Sequence, residues 1–141
     1  MPLHPLIVHF PIALLLVGTL FELLSLKYRK QLNLAGTILL ALGFVSGVVA
    51  FLTGDSGERF AEMHFGDIEN MVHQHEDMAR NAMIMFGIAV ALKCITHFTT
   101  RYQKVLYIAV IVIAIIGSGL LAYTGHLGGQ IVYENAKILN H

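Results

Sequence analysis

Residues 105–124 read VLYIAVIVIAIIGSGLLAYT, a continuous stretch without a charged residue. A helix of about 20 apolar residues crosses the roughly 30 Å of hydrocarbon in a bilayer, so this stretch predicts a transmembrane helix. Three further apolar runs of comparable length occur at about 5–26, 34–53 and 81–98. In lipid every backbone group has to bond internally, which favours helices. We therefore predict an all-α fold, an integral membrane four-helix bundle that occupies residues 1–141 as one domain.

The composition agrees with a membrane location. The 141-residue chain is 56% hydrophobic and 13% charged, whereas soluble domains have roughly 25% charged residues. Its formal net charge of zero gives no electrostatic case for nucleic-acid binding, so the expected partner is the lipid bilayer. The single cysteine, Cys94, excludes an internal disulfide. It falls inside an apolar run and is expected to be a small buried residue.

The basic residues predict the orientation of the spans. Those of the two short loops are Lys27, Arg29, Lys30, Arg101 and Lys104, and neither loop has an acid. The middle loop, at about 54–80, has an excess of acids instead. Cytoplasmic loops are enriched in Lys and Arg. Both termini and the middle loop are therefore predicted to lie on the outer side of the membrane, which the chain crosses as a multi-pass protein. In a Gram-negative bacterium this membrane would be the inner (cytoplasmic) membrane, and the outer side would be the periplasm.

Most of the histidines gather on the predicted outer side, at His4, His9, His64, His73, His75 and His126. Histidine at membrane depth is rare without a purpose. His73 and His75 are about 200° apart on a helix, so only one of them can face inward. We predict that it is His75, because its stripe continues through Ala79 and Ala82, whereas the stripe of His73 is charged.

The same reasoning predicts that His9 and His126 face inward. His126 lies above two small residues of the fourth span, Ala122 and Gly119. Small residues beside an inward histidine leave room for a flat and bulky group, and they also allow close helix packing. His4 precedes or starts the first helix, so helical spacing does not fix its direction.

Inward histidines on different helices can hold a haem iron from both sides. The candidate axial ligands are His4, His9, His75 and His126, and the bordering small residues are Ala79, Ala82, Gly119 and Ala122. The first hypothesis is a membrane b-type cytochrome with one haem b or two in the outer half of the bundle. It would carry electrons between a membrane quinone and an outer-side redox protein, and as an enzyme it would be a quinone-linked oxidoreductase.

Two other functions fit the same region. The middle loop and the next helix interleave thioether and imidazole groups at Met63, His64, Met71, His73, His75 and Met78. This pattern suits copper, and clustered histidines also bind zinc, so an outer-facing metal-binding membrane protein is the second hypothesis. In the third, the chain is a structural or assembly subunit whose histidines only cap helices. Residue spacing alone does not separate haem from a bare ion.

Two charged residues fall inside the predicted spans. Glu22 and Lys93 lie near the cytoplasmic ends of their helices, so they are expected to form a pair or to snorkel to the interface. The functional alternative is a proton or quinone site on that side. The second span contains the close-packing motif Gly43-x-x-x-Gly47, which fits either packing inside the bundle or a homodimer.

Three motifs resemble one known family. His4-Pro-Leu-Ile-Val-His-Phe-Pro11 resembles the HPxxVHFP opening of an uncharacterised bacterial membrane family, domain of unknown function 2231. His75-Glu76 is similar to the HE at the head of that family's third helix, and residues 124–133, TGHLGGQIVY, resemble its TGxxGGxxVY close. The resemblance covers essentially the whole chain and implies a four-helix membrane unit. Some members are joined to Rieske-type iron–sulfur domains, so the resemblance also implies electron transfer.

Overall fold

The computed structural model describes residues 7–54, 63 and 69–136. These described ranges contain four helices, which are α1 His9–Ser25, α2 Arg29–Leu52, α3 Glu69–Phe98 and α4 Gln103–Ala136. Within these ranges there is no strand, which confirms the all-α prediction. Helices α2, α3 and α4 are long and apolar enough to cross a membrane, and α1 is a shorter apolar helix.

The helices pack as two hairpins. Helix α1 lies along α2 and helix α3 lies along α4, while α2 with α3 and α1 with α4 make smaller contacts that close the bundle. The connections after α1 and α3 are short, and we call the end of the bundle that carries them the short-loop end. The opposite end, where α2 finishes and α3 begins, is the long-loop end. The predicted cytoplasmic placement of the short-loop end stays a prediction.

One apolar cluster lies in the middle of the bundle and receives side chains from all four helices. Its buried members are Leu15, Leu40, Ala82, Phe86, Ala114 and Leu121. Many of the remaining large apolar side chains point outward and are exposed, such as Leu42 at 53% and Ile116 at 47%. Such a surface is expected of helices that face lipid, because hydrocarbon is as apolar as leucine.

The glycine motif of α2 packs inside the bundle. A Cβ atom on Gly43 would lie 2.8 Å from the side chain of Leu15, and one on Gly47 would lie 2.7 Å from Cε of Met83. The two glycines therefore let α1 and α3 approach the backbone of α2 closely. A homodimer is not needed to explain the motif, and it stays a prediction.

Helices α3 and α4 are longer than the predicted spans. Helix α3 begins at Glu69, inside the predicted middle loop. One face of its added turns is solvated, with Arg80 Nη2 2.7 Å from Oδ1 of Asp77, whereas Val72 on another face is buried against Ile131 of α4. Helix α4 continues through three glycines to Ala136, beyond the predicted end of the span at residue 124. A helical glycine costs only about 1 kcal/mol relative to alanine, and at Gly128 it permits close contact with α3.

The prediction that Cys94 is buried is wrong, because its side chain is exposed. An apolar position in a membrane helix can face lipid as well as the interior of the bundle. An apolar run therefore does not establish burial.

Candidate functional site

His75 faces the interior of the bundle in the long-loop half, as predicted. Its side chain is half-buried, and its Nδ1 atom lies 3.0 Å from the carbonyl oxygen of Thr124 in α4. A carbonyl oxygen only accepts hydrogen bonds, so Nδ1 carries a proton and is the donor of this bond. His73 points outward, with Nε2 3.5 Å from Oε1 of Glu69, which also confirms its predicted direction.

The small residues beside His75 are used for helix packing. Ala79 is half-buried, and Ala82 is fully buried within the apolar cluster. On the facing helix, a Cβ atom on Gly128 would lie 3.2 Å from Cε1 of His75. At Ala82 and Gly128, the small residues therefore let α3 and α4 pack closely.

The inward direction predicted for His9 and His126 is wrong. Both side chains are exposed, and so are Ala122 and Gly119 on α4. A Cβ atom on Gly119 would meet nothing within 4 Å. His9 lies two residues before the buried Pro11, which places the two about 200° apart around α1. A stripe of small residues does not distinguish a lipid-facing surface from an interior one.

The structure describes only some of the remaining predicted ligands. His4 and His64 lie outside the described residues, and Met63 is exposed. Among the residues with a described position, no group of three or more His, Cys, Asp or Glu side chains could hold a metal ion. The haem, copper and zinc roles of these histidines therefore stay predictions.

A buried acid–base cluster occupies the short-loop half of the bundle. Nζ of Lys93 donates hydrogen bonds to Oε2 of Glu22 at 2.5 Å and to the hydroxyl of Tyr107 at 3.1 Å. The side chains of Lys93 and Glu22 are 1% and 0% exposed. The three residues come from α3, α1 and α4, so the cluster ties the two hairpins together. It confirms that Glu22 and Lys93 form a pair.

One carboxylate oxygen of this cluster has no partner. Oε1 of Glu22 is buried and makes no hydrogen bond with any residue that the structure describes. It points at the backbone of α2 beside Gly36, where a Cβ atom would lie 2.5 Å from it. The absence of a side chain at position 36 therefore makes room for this oxygen.

The cluster lies between an apolar layer and a cavity. On its core side, the hydroxyl of Ser118 donates to Thr19 at 3.1 Å, and the apolar cluster follows. On its other side, a cavity of about 210 Å³ opens at the short-loop end, lined by Ser25, Leu26, Arg29, Lys104, Tyr107 and Ile108. Tyr107 therefore borders this cavity and also accepts a hydrogen bond from Lys93.

Sequence reasoning singled out Glu22 and Lys93 but missed Tyr107 and Gly36. Tyr107 belongs to an otherwise apolar stretch, where its ring looks like one more hydrophobic residue. What could have identified Tyr107 is its hydroxyl group, which lies in the first turns of a transmembrane helix. A buried tyrosine hydroxyl needs a hydrogen-bond partner, so this position predicts a polar neighbour. Nothing in the pattern of α2 distinguished Gly36 from other packing glycines.

The described part of the chain is helical apart from short connections, and three of its helices are long and apolar enough to cross a membrane. Together with the apolar outer surface, these features define a polytopic membrane protein. A family model described as predicted membrane protein (DUF2231) matches residues 1–137. The chain therefore belongs to the DUF2231 family, which confirms the resemblance seen in its three motifs. Comparisons with curated proteins and with solved structures found no match.

Proposed function

We propose that this chain is a proton-coupled membrane protein, and that Glu22, Lys93 and Tyr107 form its proton-exchange site. The observation that carries the proposal is the buried Oε1 atom of Glu22, which lacks a hydrogen-bond partner among the described residues. Leaving a buried acceptor unpaired costs about 1–3 kcal/mol, so the arrangement is not explained by stability. Ionisable residues within membrane spans commonly serve proton relays and ion pathways.

The direct contact between Lys93 and Glu22 permits proton transfer. Moving one proton from Nζ to Oε2 converts an ammonium–carboxylate pair into an amine and a carboxylic acid, with no change in total charge. Separated charges are costly in a low-dielectric interior, which favours access to the neutral form. The amine of Lys93 can then take a proton from the Tyr107 hydroxyl, and the phenolate recovers one from a hydronium ion that reaches the cavity.

The net result of these transfers is uptake of one proton from the short-loop side. Glu22 becomes neutral and Lys93 returns to its ammonium form, so the cluster gains one positive charge. The same steps in reverse release the proton. The apolar layer beyond Thr19 and Ser118 separates the site from the long-loop end, so exchange is expected on the short-loop side only.

Tyr107→Phe tests the relay, because it removes the hydroxyl group and keeps the ring. After a pH jump on protein in lipid vesicles, the infrared band of the protonated Glu22 carboxyl group should appear at least about ten-fold more slowly than in the unaltered chain. Its final amplitude should be unchanged. The matched control is Tyr102→Phe, at an exposed tyrosine of the same region. Equal rates in all three proteins would contradict the relay.

A b-type haem protein is the second candidate, and the hydrogen bond of His75 favours it. Metal-binding histidines commonly donate their second ring N–H to a backbone carbonyl, which fixes the tautomer and the ring direction. The bond from Nδ1 of His75 to Thr124 has this form. Because His9 and His126 face away from the interior, the second axial ligand would be His4, or an exposed histidine of a second copy. A quinone and an outer-side redox protein remain the proposed electron partners.

An absorption spectrum of the purified protein tests this candidate. A Soret band that His75→Ala removes and His73→Ala keeps would support haem b on His75. A colourless protein that carries stoichiometric copper or zinc would favour the metal-binding alternative. A colourless and metal-free protein, purified from cells supplied with haem precursor and both metals, would contradict both.

A further inference from the structure

The cavity at the short-loop end is built from cations and apolar side chains. Arg29 comes from the start of α2 and Lys104 from the start of α4, and both line the cavity. The guanidinium of Arg29 lies 4.1 Å from the ring centroid of Tyr107. This cation–π contact holds the guanidinium against the cavity instead of leaving it free in solvent.

The positive charge of this end is not neutralised by neighbouring acids. Neither short loop contains an Asp or Glu, and Lys27, Lys30 and Arg101 add to the charge of the two lining residues. Glu22 is the nearest acid along the chain to Arg29, and it is already paired with Lys93. The cavity is therefore complementary to an anion.

The remaining walls suit a lipid. Leu26 and Ile108 line the cavity and are 65% and 56% exposed, so the cavity is continuous with the apolar outer surface of α1 and α4. These two helices make only a small contact with each other. An amphiphile can therefore place a charged group between the cations and its chains along the helices.

We propose that this cavity binds the headgroup phosphate of an anionic phospholipid. Arg29 would hold two phosphate oxygens through its planar guanidinium, and Lys104 would supply a second charge from the facing helix. The acyl chains would lie against Leu26 and Ile108. Basic pockets between transmembrane helices are known to bind anionic headgroups, and a zwitterionic lipid would bring its own cation toward an already positive surface.

The chain has no tryptophan, which allows a single reporter to be placed in the site. Leu26→Trp puts the reporter at the cavity, and Leu42→Trp puts a matched reporter on an exposed apolar position of α2 that does not line it. The protein is reconstituted in phosphatidylcholine vesicles that contain graded amounts of brominated phosphatidylglycerol. Quenching of tryptophan fluorescence by bromine then reports lipid contact, and brominated phosphatidylcholine gives the reference affinity.

We expect brominated phosphatidylglycerol to quench the tryptophan at position 26 more strongly than brominated phosphatidylcholine does. At position 42 the two lipids should quench equally. Lys104→Gln and Arg29→Gln should each reduce the preference about five-fold, as expected for one cation near a membrane surface. The matched controls are Lys30→Gln and Arg101→Gln, which remove cations of the same two loops that do not line the cavity.

Two outcomes would overturn the proposal. Equal quenching by the two lipids at position 26 would mean that the cavity does not select an anionic headgroup. An equal loss of preference in the control variants would mean that the lipids respond to the total charge of the loops rather than to this cavity. Lys104→Gln decides the test if Arg29→Gln also disturbs Tyr107.

Discussion

A single and a double variant test how strongly the stability of the bundle depends on the pair formed by Glu22 and Lys93. Lys93→Met removes the only hydrogen-bond donor to the Glu22 carboxylate that the structure describes. Because Glu22 is 0% exposed, water cannot replace the lost ammonium without opening the bundle. Breaking a buried ion pair on one side costs about 3–5 kcal/mol, and the free energy of unfolding should fall by that amount.

The double variant Glu22→Met with Lys93→Met should recover most of this loss. Replacing both members of a buried pair by apolar residues of similar volume is often neutral or stabilising. Unfolding in mixed micelles with increasing sodium dodecyl sulfate, followed by circular dichroism, gives the four free energies of a double-mutant cycle. Additive effects, or a cost below about 1 kcal/mol for Lys93→Met, would mean that the two residues are not a buried, mutually dependent pair.

Three further predictions follow from packing and charge. Gly36→Ala should displace the Glu22 carboxylate and cost about 1–3 kcal/mol of unfolding free energy, whereas Gly119→Ala, with open space around it, should be neutral or stabilising in the same unfolding assay. Ala82→Leu should overpack the fully buried centre of the bundle and lower the thermal midpoint, and Gly119→Leu should leave it unchanged. A reporter enzyme fused after His141 should behave as extracytoplasmic, and cytoplasmic activity would reverse the predicted orientation.

The helices were predictable because a bilayer imposes a length and a composition on each span. The directions of side chains were predictable only where one helix face carries charge. On α3, Asp77 and Arg80 mark the solvated face, and His75 was correctly placed opposite to it. On α1 and α4 both faces are apolar, so the helical period carries no information about which face is inside, and His9 and His126 were misplaced.

The charged pair was predictable for a related reason. A charge inside a span is so costly that it has to be paired or brought to the interface, and Glu22 and Lys93 lie at matching depths. The hydroxyl of Tyr107 indicated that this residue has a partner, but which partner was not predictable, because Lys93 is 14 residues away on another helix. The extra turns of α4 also escaped prediction, since the contact between Gly128 and His75 depends on how α3 and α4 pack.

We propose that Glu22 gains and loses a proton while the bundle stays folded. Infrared difference spectra of the protein in lipid, recorded between acidic and alkaline buffers, detect this change at the carboxyl group itself. We expect a carboxyl band of an acid in an apolar environment. This band should be absent in Glu22→Gln and kept in Glu69→Gln, at an exposed glutamate of α3. Spectra with no such band, or with a band that Glu22→Gln leaves in place, would contradict it.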